Sequence, residues 1–429
     1  MEAKDLYSYF LKSTGVATDS RQIEEGTLFI CLRGEHFNGN KFAAEALEKG
    51  ASYVVVDDAE YLIEDEHYVL VEDCLKSLQA LAHHHRMQFS IPVIGLTGSN
   101  GKTTTKELIN SVLSQQFNTT ATVGNLNNHI GVPLTLLNIN SNTAIALIEM
   151  GANHLKEIEL LAAIAAPTHG YITNFGKAHL EGFGSLEGVV RGKSELYQFL
   201  AKNSGICLIN SADPKQVSST QNQETFSFGT KSKATITIQN IDRGADENIV
   251  ILTEETEIIS QLKGAYNFTN IAAAVAFGRY FKIPAAKIKN GIEAYNPTNN
   301  RSQRHTTDSN TLVLDAYNAN PSSMKAALES FFSSKKEDQV LILGDMLELG
   351  SFADEEHQKI VDLIETKNIE EVLLIGPEFN KTKTSTSGFK KFDTTTSAIP
   401  YLQKKNFQNK TILIKGSRGI ALEVLKNYL

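Results

Sequence analysis

Residues 93–109, VIGLTGSNGKTTTKELI, place an apolar run, a loop with two glycines and a helix-forming run in direct succession. No other stretch limits the chain's fold as tightly. The first amides of a helix point outward unpaired, and the helix dipole adds positive potential, so a helix N-terminus binds anions. Gly98 and Gly101 let the backbone close around a phosphate, with Ser99, Asn100 and Thr104 completing the loop. Lys102 supplies a point charge for the β- and γ-phosphates, and the Thr103 hydroxyl is placed to hold Mg²⁺. The spacing departs from the usual P-loop: the position five before Gly101 is Leu96, and Gly98 lies three before it. A ligand-free strand–turn–helix is the plain alternative. The order of strand, G-S-N-G-K-T-T and helix points instead to a mononucleotide, ATP with Mg²⁺.

Around this loop, strand-like and helix-like runs alternate: TAIALIEMG, LKEIELLAAIAA, HGYITNFG, SLEGVVRGKSELYQFLA and GICLIN. That order predicts βαβ units and a mainly parallel sheet. TFSFGT, ATITIQNI and NIVILTE then read as an antiparallel edge, followed by a strong Ala-rich helix, NFTNIAAAVAFGRYF. The polar stretch at 296–310 reads as a boundary, after which αβ alternation resumes to the end; NKTKTSTSGFKK within it reads as a surface loop. The segment before residue 86 reads as a smaller α/β unit. The expected fold class is therefore α/β with three domains, 1–85, 86–297 and 298–429: a small N-terminal unit, a central P-loop ATPase-like domain and a C-terminal Rossmann-like domain. A 429-residue chain is of the right length for three cores.

Composition removes several function classes. The net charge of −8, without a Lys/Arg block, argues against bulk binding to nucleic acid or anionic membrane. Cys31, Cys74 and Cys207 are scattered and odd in number, which fits a reducing compartment rather than a disulfide framework. The first residues lack a signal-peptide pattern, and no apolar window reaches the ~18 residues of a membrane span. A cytoplasmic protein without a membrane anchor, and a monomer, is the expectation. His83, His84 and His85 suggest a metal site at first sight, but adjacent helix positions diverge, so they read as a solvated helix end at a domain junction.

The shortened loop and four further stretches, GNLNNHIGVPLTLL, TNFGKAHLEGFGSLEGVVRGKSEL, DAYNANPSSMKAAL and LGDMLELG, resemble the Mur ligases over essentially the whole chain. These are ATP-dependent amide-forming enzymes of bacterial peptidoglycan synthesis. Within the family the resemblance leans to the members that add D-alanyl-D-alanine to UDP-N-acetylmuramoyl-tripeptide. The sister ligases that add the third amino acid are similar at DSRQIEEGTLFICLRGEHFNG, but their Asp-Asn-Pro-Arg signature is missing here.

The resemblance implies a chemistry: a peptide carboxylate takes the γ-phosphoryl group of ATP, and an amine displaces phosphate from the resulting acyl phosphate. It implies catalytic roles for Lys102, Glu149, His179 and Lys193. Thr103 and Glu149 would hold one Mg²⁺, and His179 and Lys193 would serve a second. Read alone, Lys193 is a solvated helix lysine; in the resembling ligases a lysine here carries a CO₂-derived carbamate. Asn270, Arg301 and Asp315 match ATP-contacting residues, although Asn267 or Thr269 beside the first could equally cap a helix. The N-terminal domain would bind UDP through Ser20, Arg21, Arg33 and Asn38, an ordinary turn with a surface ion pair being the alternative. Asn127, Asn128, Asn153 and His154 would face the muramoyl-peptide. The dipeptide would meet Asn318, Asn320, Lys415 and Arg418, each of which could instead be a cap or turn residue. A hinge at 296–300 would let the third domain close. The rival readings are the sister ligase, a nucleotide-switched binding protein and a P-loop kinase.

Overall fold

The computed structural model describes residues 2–63, 65–231, 234–241, 248–297, 303–333, 338–367 and 369–429. Its centre is a seven-stranded parallel sheet, whose strands run in the order Ile236–Thr237, Thr225–Gly229, Ile206–Asn210, His169–Ile172, Val93–Thr97, Ile145–Glu149 and Thr119–Ala121. Val93–Thr97 and Ile145–Glu149 are fully buried, as strands covered by helices on both faces must be. The Lys102–Leu113 helix packs against one face together with Phe268–Tyr280. The alanines of the latter allow close approach, and a Cβ on Gly278 would stand 2.8 Å from Val112 Cγ1.

The opposite face carries Glu157–Ala165 and Leu186–Lys202, and its core runs without a break into the N-terminal domain. That domain is a four-stranded parallel sheet, Val16–Ala17, Leu28–Ile30, Tyr53–Val56 and Tyr68–Leu70, with the helix Cys74–Arg86. The third domain is a six-stranded sheet ordered Gln303–Thr306, Thr311–Asp315, Thr411–Lys415, Gln339–Gly344, Glu371–Ile375 and Phe389–Phe392. Among the described residues, no helix is long and apolar enough to cross a membrane.

Several expectations need correction. Thr225–Gly229 is a parallel strand of the main sheet, because the short helix Pro214–Ser219 supplies the crossover that its pairing with Ile206–Asn210 requires. Gln239–Ile241, Val250–Leu252 and Glu257–Ile259 form a separate antiparallel sheet. Gln303–Thr306, inside the polar boundary stretch, is an antiparallel edge strand, and Phe389–Phe392, inside the presumed surface loop, is an edge strand at the other side. Edge strands tolerate polar and charged side chains, which hid both. The last segment, Leu422–Tyr428, is a 3₁₀ helix.

The histidine run is not simply a solvated helix end. His85 is buried, with Nε2 2.7 Å from Ile139 O and Nδ1 3.2 Å from Tyr7 Oη, and His83 Nδ1 lies 3.1 Å from Ile164 O. The helix does end between two domains, where His85 finds a neighbouring carbonyl while His83 stays exposed.

Candidate functional site

The loop after Val93–Thr97 is held in a shape only glycine permits. Gly98 has φ +142° and Gly101 φ +76°; a Cβ would meet Thr173 Oγ1 at 2.0 Å in the first and Asn270 Oδ1 at 2.7 Å in the second. Neighbours fix the backbone between them. Ser99 N donates to Asn174 O at 3.0 Å, Asn100 N donates to Asn174 Oδ1 at 3.1 Å, and Thr173 Oγ1 donates to Asn100 O at 2.6 Å. Lys102 Nζ donates back to Gly98 O at 2.8 Å, across the loop it belongs to. Thr104 lines the same cleft.

Thr103 and Glu149 come together as the sequence suggests. Thr103 Oγ1 donates to Glu149 Oε1 at 3.2 Å, and Asn127 Nδ2 donates to the same oxygen at 2.8 Å. Glu149 is 1% exposed, and its Oε2 is buried without a hydrogen-bond partner. A buried, orphaned carboxylate oxygen beside a hydroxyl and a phosphate loop is the donor set a magnesium ion would complete. Among the described residues no three His, Cys, Asp or Glu side chains gather in metal-binding fashion, so an ion here would rest on one carboxylate, the hydroxyl and the phosphates.

His179 has a left-handed backbone, φ +52°, which turns its ring toward the third domain. Its Nδ1 lies 2.6 Å from Glu348 Oε2, an ion-pair contact rather than an aligned hydrogen bond. Lys193 departs furthest from a plain reading of its sequence. It is wholly buried, donates to Ala152 O at 2.9 Å and lies 5.1 Å from the centre of the Phe183 ring. Burial, and then the charge of Lys102, push its amine well below the ordinary lysine pKa. A neutral amine is what a carbamate needs to form, so the residue fits that group.

A cleft of about 840 Å³ separates the loop from the third domain, with Asn128, Asn153 and Asn318 among its walls. Asn128 Oδ1 accepts from Ile130 N at 3.1 Å and Gly131 N at 2.9 Å, in the turn that leads into the helix Gly131–Leu136. His154 Nδ1 lies 2.9 Å from Asn153 Oδ1, and Glu157 Oε2 accepts from both backbone amides. Asn270 is buried under the loop, where Thr105 Oγ1 donates to its Oδ1 at 3.0 Å and its Nδ2 donates to Asn267 at 2.9 Å. Lys415, 1% exposed, pairs with Asp315, its Nζ 3.5 Å from Asn318 O, so residues expected on two different substrates share one ion pair. Arg418 sits apart, exposed, 5.5 Å from the centre of the Tyr317 ring. Asn320 Nδ2 reaches the phosphate loop, donating to Asn100 Oδ1 at 2.7 Å. Arg301 lies outside the described residues.

In the N-terminal domain Arg21 is exposed and pairs with Asp19, while Arg33 pairs with Asp57 at 2.7 Å. Ser20 O accepts from Lys49, and Asn38 Oδ1 caps the turn beginning at Gly39. Thr173, Asn174 and Glu348 escaped the sequence reading. Thr173 and Asn174 carry the same signal as Glu149, a polar residue where a buried parallel strand ends at the ligand edge.

The chain matches the Mur ligase family, catalytic domain, at residues 12–86, the Mur ligase middle domain at 96–278, and the Mur ligase, glutamate ligase domain at 300–418. It is similar to the UDP-N-acetylmuramoyl-tripeptide–D-alanyl-D-alanine ligase of Bacillus subtilis, 36% identical over 95% of this chain and 91% of the relative. The Escherichia coli ligase of the same name is 34% identical, over 95% of this chain and 92% of the relative. A crystal structure of MurF from Acinetobacter baumannii superposes with a TM-score of 0.88 at 30% identity, covering 99% of this chain and 98% of that one. The MurF ligase of Thermotoga maritima in complex with ADP shares the fold, with a TM-score of 0.84 at 24% identity over 98% of this chain and 97% of that one. The matches reach all three domains, and the chain belongs to the Mur ligase family of ATP-dependent, ADP-forming ligases.

Proposed function

We propose that this chain joins D-alanyl-D-alanine to UDP-N-acetylmuramoyl-tripeptide in peptidoglycan precursor synthesis, releasing ADP and phosphate. The carrying observation is the pairing of Thr103 with the orphaned Glu149 carboxylate, across one cleft from Asn318 and Lys415 of the third domain. The names of the full-length relatives support the choice of substrates. The three domains are taken as 1–85 for the UDP end, 86–297 for ATP and 298–429 for the dipeptide.

The tripeptide carboxylate attacks the γ-phosphorus, ADP leaves, and an acyl phosphate remains. The dipeptide amine then attacks the acyl carbon, phosphate leaves, and the amine gives up a proton as the amide forms. Both partners of the first step are anions, so alignment and charge neutralisation dominate. The loop amides and Lys102 hold the triphosphate; Lys102 would leave Gly98 O for the γ-phosphate. Thr103 and Glu149 would hold one Mg²⁺, and His179 with a carbamate on Lys193 would serve another; these ions supply screening of the repulsion between carboxylate and phosphate. Asn270, Arg301 and Asp315 orient the nucleoside. Asn127, Asn128, Asn153 and His154 orient the peptide, with Ser20, Arg21, Arg33 and Asn38 on the UDP. Lys415 and Arg418 give the dipeptide carboxylate its cationic side.

The deciding assay is phosphate release with ATP, UDP-muramoyl-tripeptide and D-alanyl-D-alanine, each omitted in turn. Release is expected only when all three are present. Steady release without the dipeptide contradicts the proposal.

A further inference from the structure

Besides the Lys177–Glu356 ion pair, two hydrogen bonds among the described residues join the start of one third-domain helix to the phosphate loop and the segment beside it. Asn320 Nδ2 donates to Asn100 Oδ1 at 2.7 Å, and Lys177 N donates to Ser322 Oγ at 2.8 Å. Both acceptors or donors on the third domain belong to the first turn of Pro321–Phe332, where Asn320 Oδ1 also caps the helix by accepting from Ser323 N at 2.9 Å. On the central domain the two crossing points are themselves joined, since Ser99 Oγ donates to Gly176 O at 2.8 Å. The result is a closed ring of bonds: Asn100, Asn320, the helix start, Ser322, Lys177, Gly176 and Ser99. Gly176 sits at its middle, and a Cβ there would be 2.9 Å from Asn100 Nδ2 and 3.0 Å from Ser322 Cβ.

We infer that Asn320 and Ser322 are positioning residues that fasten the dipeptide-binding domain to the phosphate loop, so that a nucleotide-ordered loop tightens dipeptide binding. The inference rests on the function proposed above. It assigns Asn320 to the loop rather than to the dipeptide. The physical reason is geometric. The Asn100 side chain has its carbonyl engaged by Asn320, while its backbone is pinned by Thr173 and Asn174. Setting the loop's backbone around a triphosphate therefore sets where the third domain can close. By linkage, a ligand that favours the closed arrangement and a nucleotide that favours the ordered loop assist each other.

The test is calorimetric titration of D-alanyl-D-alanine into the full chain holding UDP-muramoyl-tripeptide, with and without a non-hydrolysable ATP analogue and Mg²⁺. Asn320→Ser keeps a helix-capping hydroxyl but is too short to reach Asn100. It is expected to weaken dipeptide binding about 3- to 10-fold with the analogue present, the worth of one hydrogen bond, and to leave it unchanged without the analogue. Asn100→Ala is expected to do the same, and the double variant to be no worse than the worse single one. Gly176→Ala, which forces the ring apart, shifts binding in the same direction. Equal weakening with and without the analogue would place Asn320 on the dipeptide and overturn the inference, as would additive single effects. Failure of the unmodified chain to bind dipeptide under any of these conditions would overturn the proposed function itself.

Discussion

The seam between the first and second domains and the seam between the second and third are built of different materials. The first is a continuous apolar core, with Leu78, Leu81 and Ala82 of the Cys74–Arg86 helix in the same cluster as Ile158, Leu161 and Ala165. Its most buried cation is anchored on carbonyls: the Arg86 guanidinium, in a residue 5% exposed, donates to Phe89 O, Ala165 O and Ala166 O at 2.6–3.2 Å. The second seam has only a small apolar patch, Leu180, Phe183 and Val189 against residues such as Met324 and Leu349. Around it lie the amide bonds of Asn100 and Lys177 and the ion pairs Lys177–Glu356 and His179–Glu348. Water can replace such partners with little net change, whereas it cannot replace a shared core. On that ground the first seam is expected to stay shut and the second to open, with the proposed chemistry on the one that opens; of the hinge expected at 296–300, positions 298–300 lie outside the described residues.

Four experiments bear on that contrast. The largest effect is expected from Lys193→Ala: ligation by the folded variant falls at least about a hundredfold, and added short carboxylates restore part of the rate. Ordinary turnover by this variant would separate the chemistry from the second seam. Next, Arg86→Ala leaves one buried and two part-buried carbonyls without their donor, and urea unfolding is expected to show a loss of about 1–3 kcal/mol with the dipeptide KM unaltered. A raised KM would mean that the first seam also moves.

The third test uses pH. Burial, helped by the charge of His84 and opposed by Ile139 O, lowers the His85 pKa, so the folded chain holds this ring neutral. A depressed folded value means the contribution is present above the unfolded histidine value, about 6.5, and is lost as pH falls from there toward the folded pKa. Unfolding curves from pH 8 to 5 are expected to show that loss, and His85→Gln to flatten it. Glu356 on the second seam answers lower. Burial works to raise its pKa, but Lys177 and Lys359 outweigh it and the net shift is downward. Its contribution is therefore intact above an ordinary carboxyl value of about 4.3 and fades below it. The smallest effect is expected from Lys177→Ala, below about 1 kcal/mol in stability, with a modest rise in dipeptide KM that 1 M salt reproduces in the unmodified chain. Insensitivity to salt would assign the second seam's strength to its apolar patch.

The loop, Lys102, Thr103 and Glu149 were legible because each sits at a strand end or helix start, positions that sequence periodicity marks. The parallel central sheet was legible for the same reason. Lys193 and His85 were not. The helix of His85 presents it to a second domain, and Lys193 is covered by Ala152 and Phe183 of its own domain, which are brought over it by the fold and not by helical spacing. Asn320 was recognisable as a cap, since Asn-Pro before an apolar-periodic run announces a helix start. Its side-chain Nδ2 donates to a residue 220 positions away in sequence, a pairing that no local pattern encodes. The edge strands Gln303–Thr306 and Phe389–Phe392 were hidden by their polar faces.

The unbroken core beneath the Cys74–Arg86 helix has a consequence for how the molecule melts. Counted by sheets the chain has three domains, but counted by what must come apart together it has two, because stripping away the first would wet the underside of the second. Differential scanning calorimetry is expected to resolve two cooperative transitions rather than three, and a fragment beginning at residue 86 to aggregate instead of refolding.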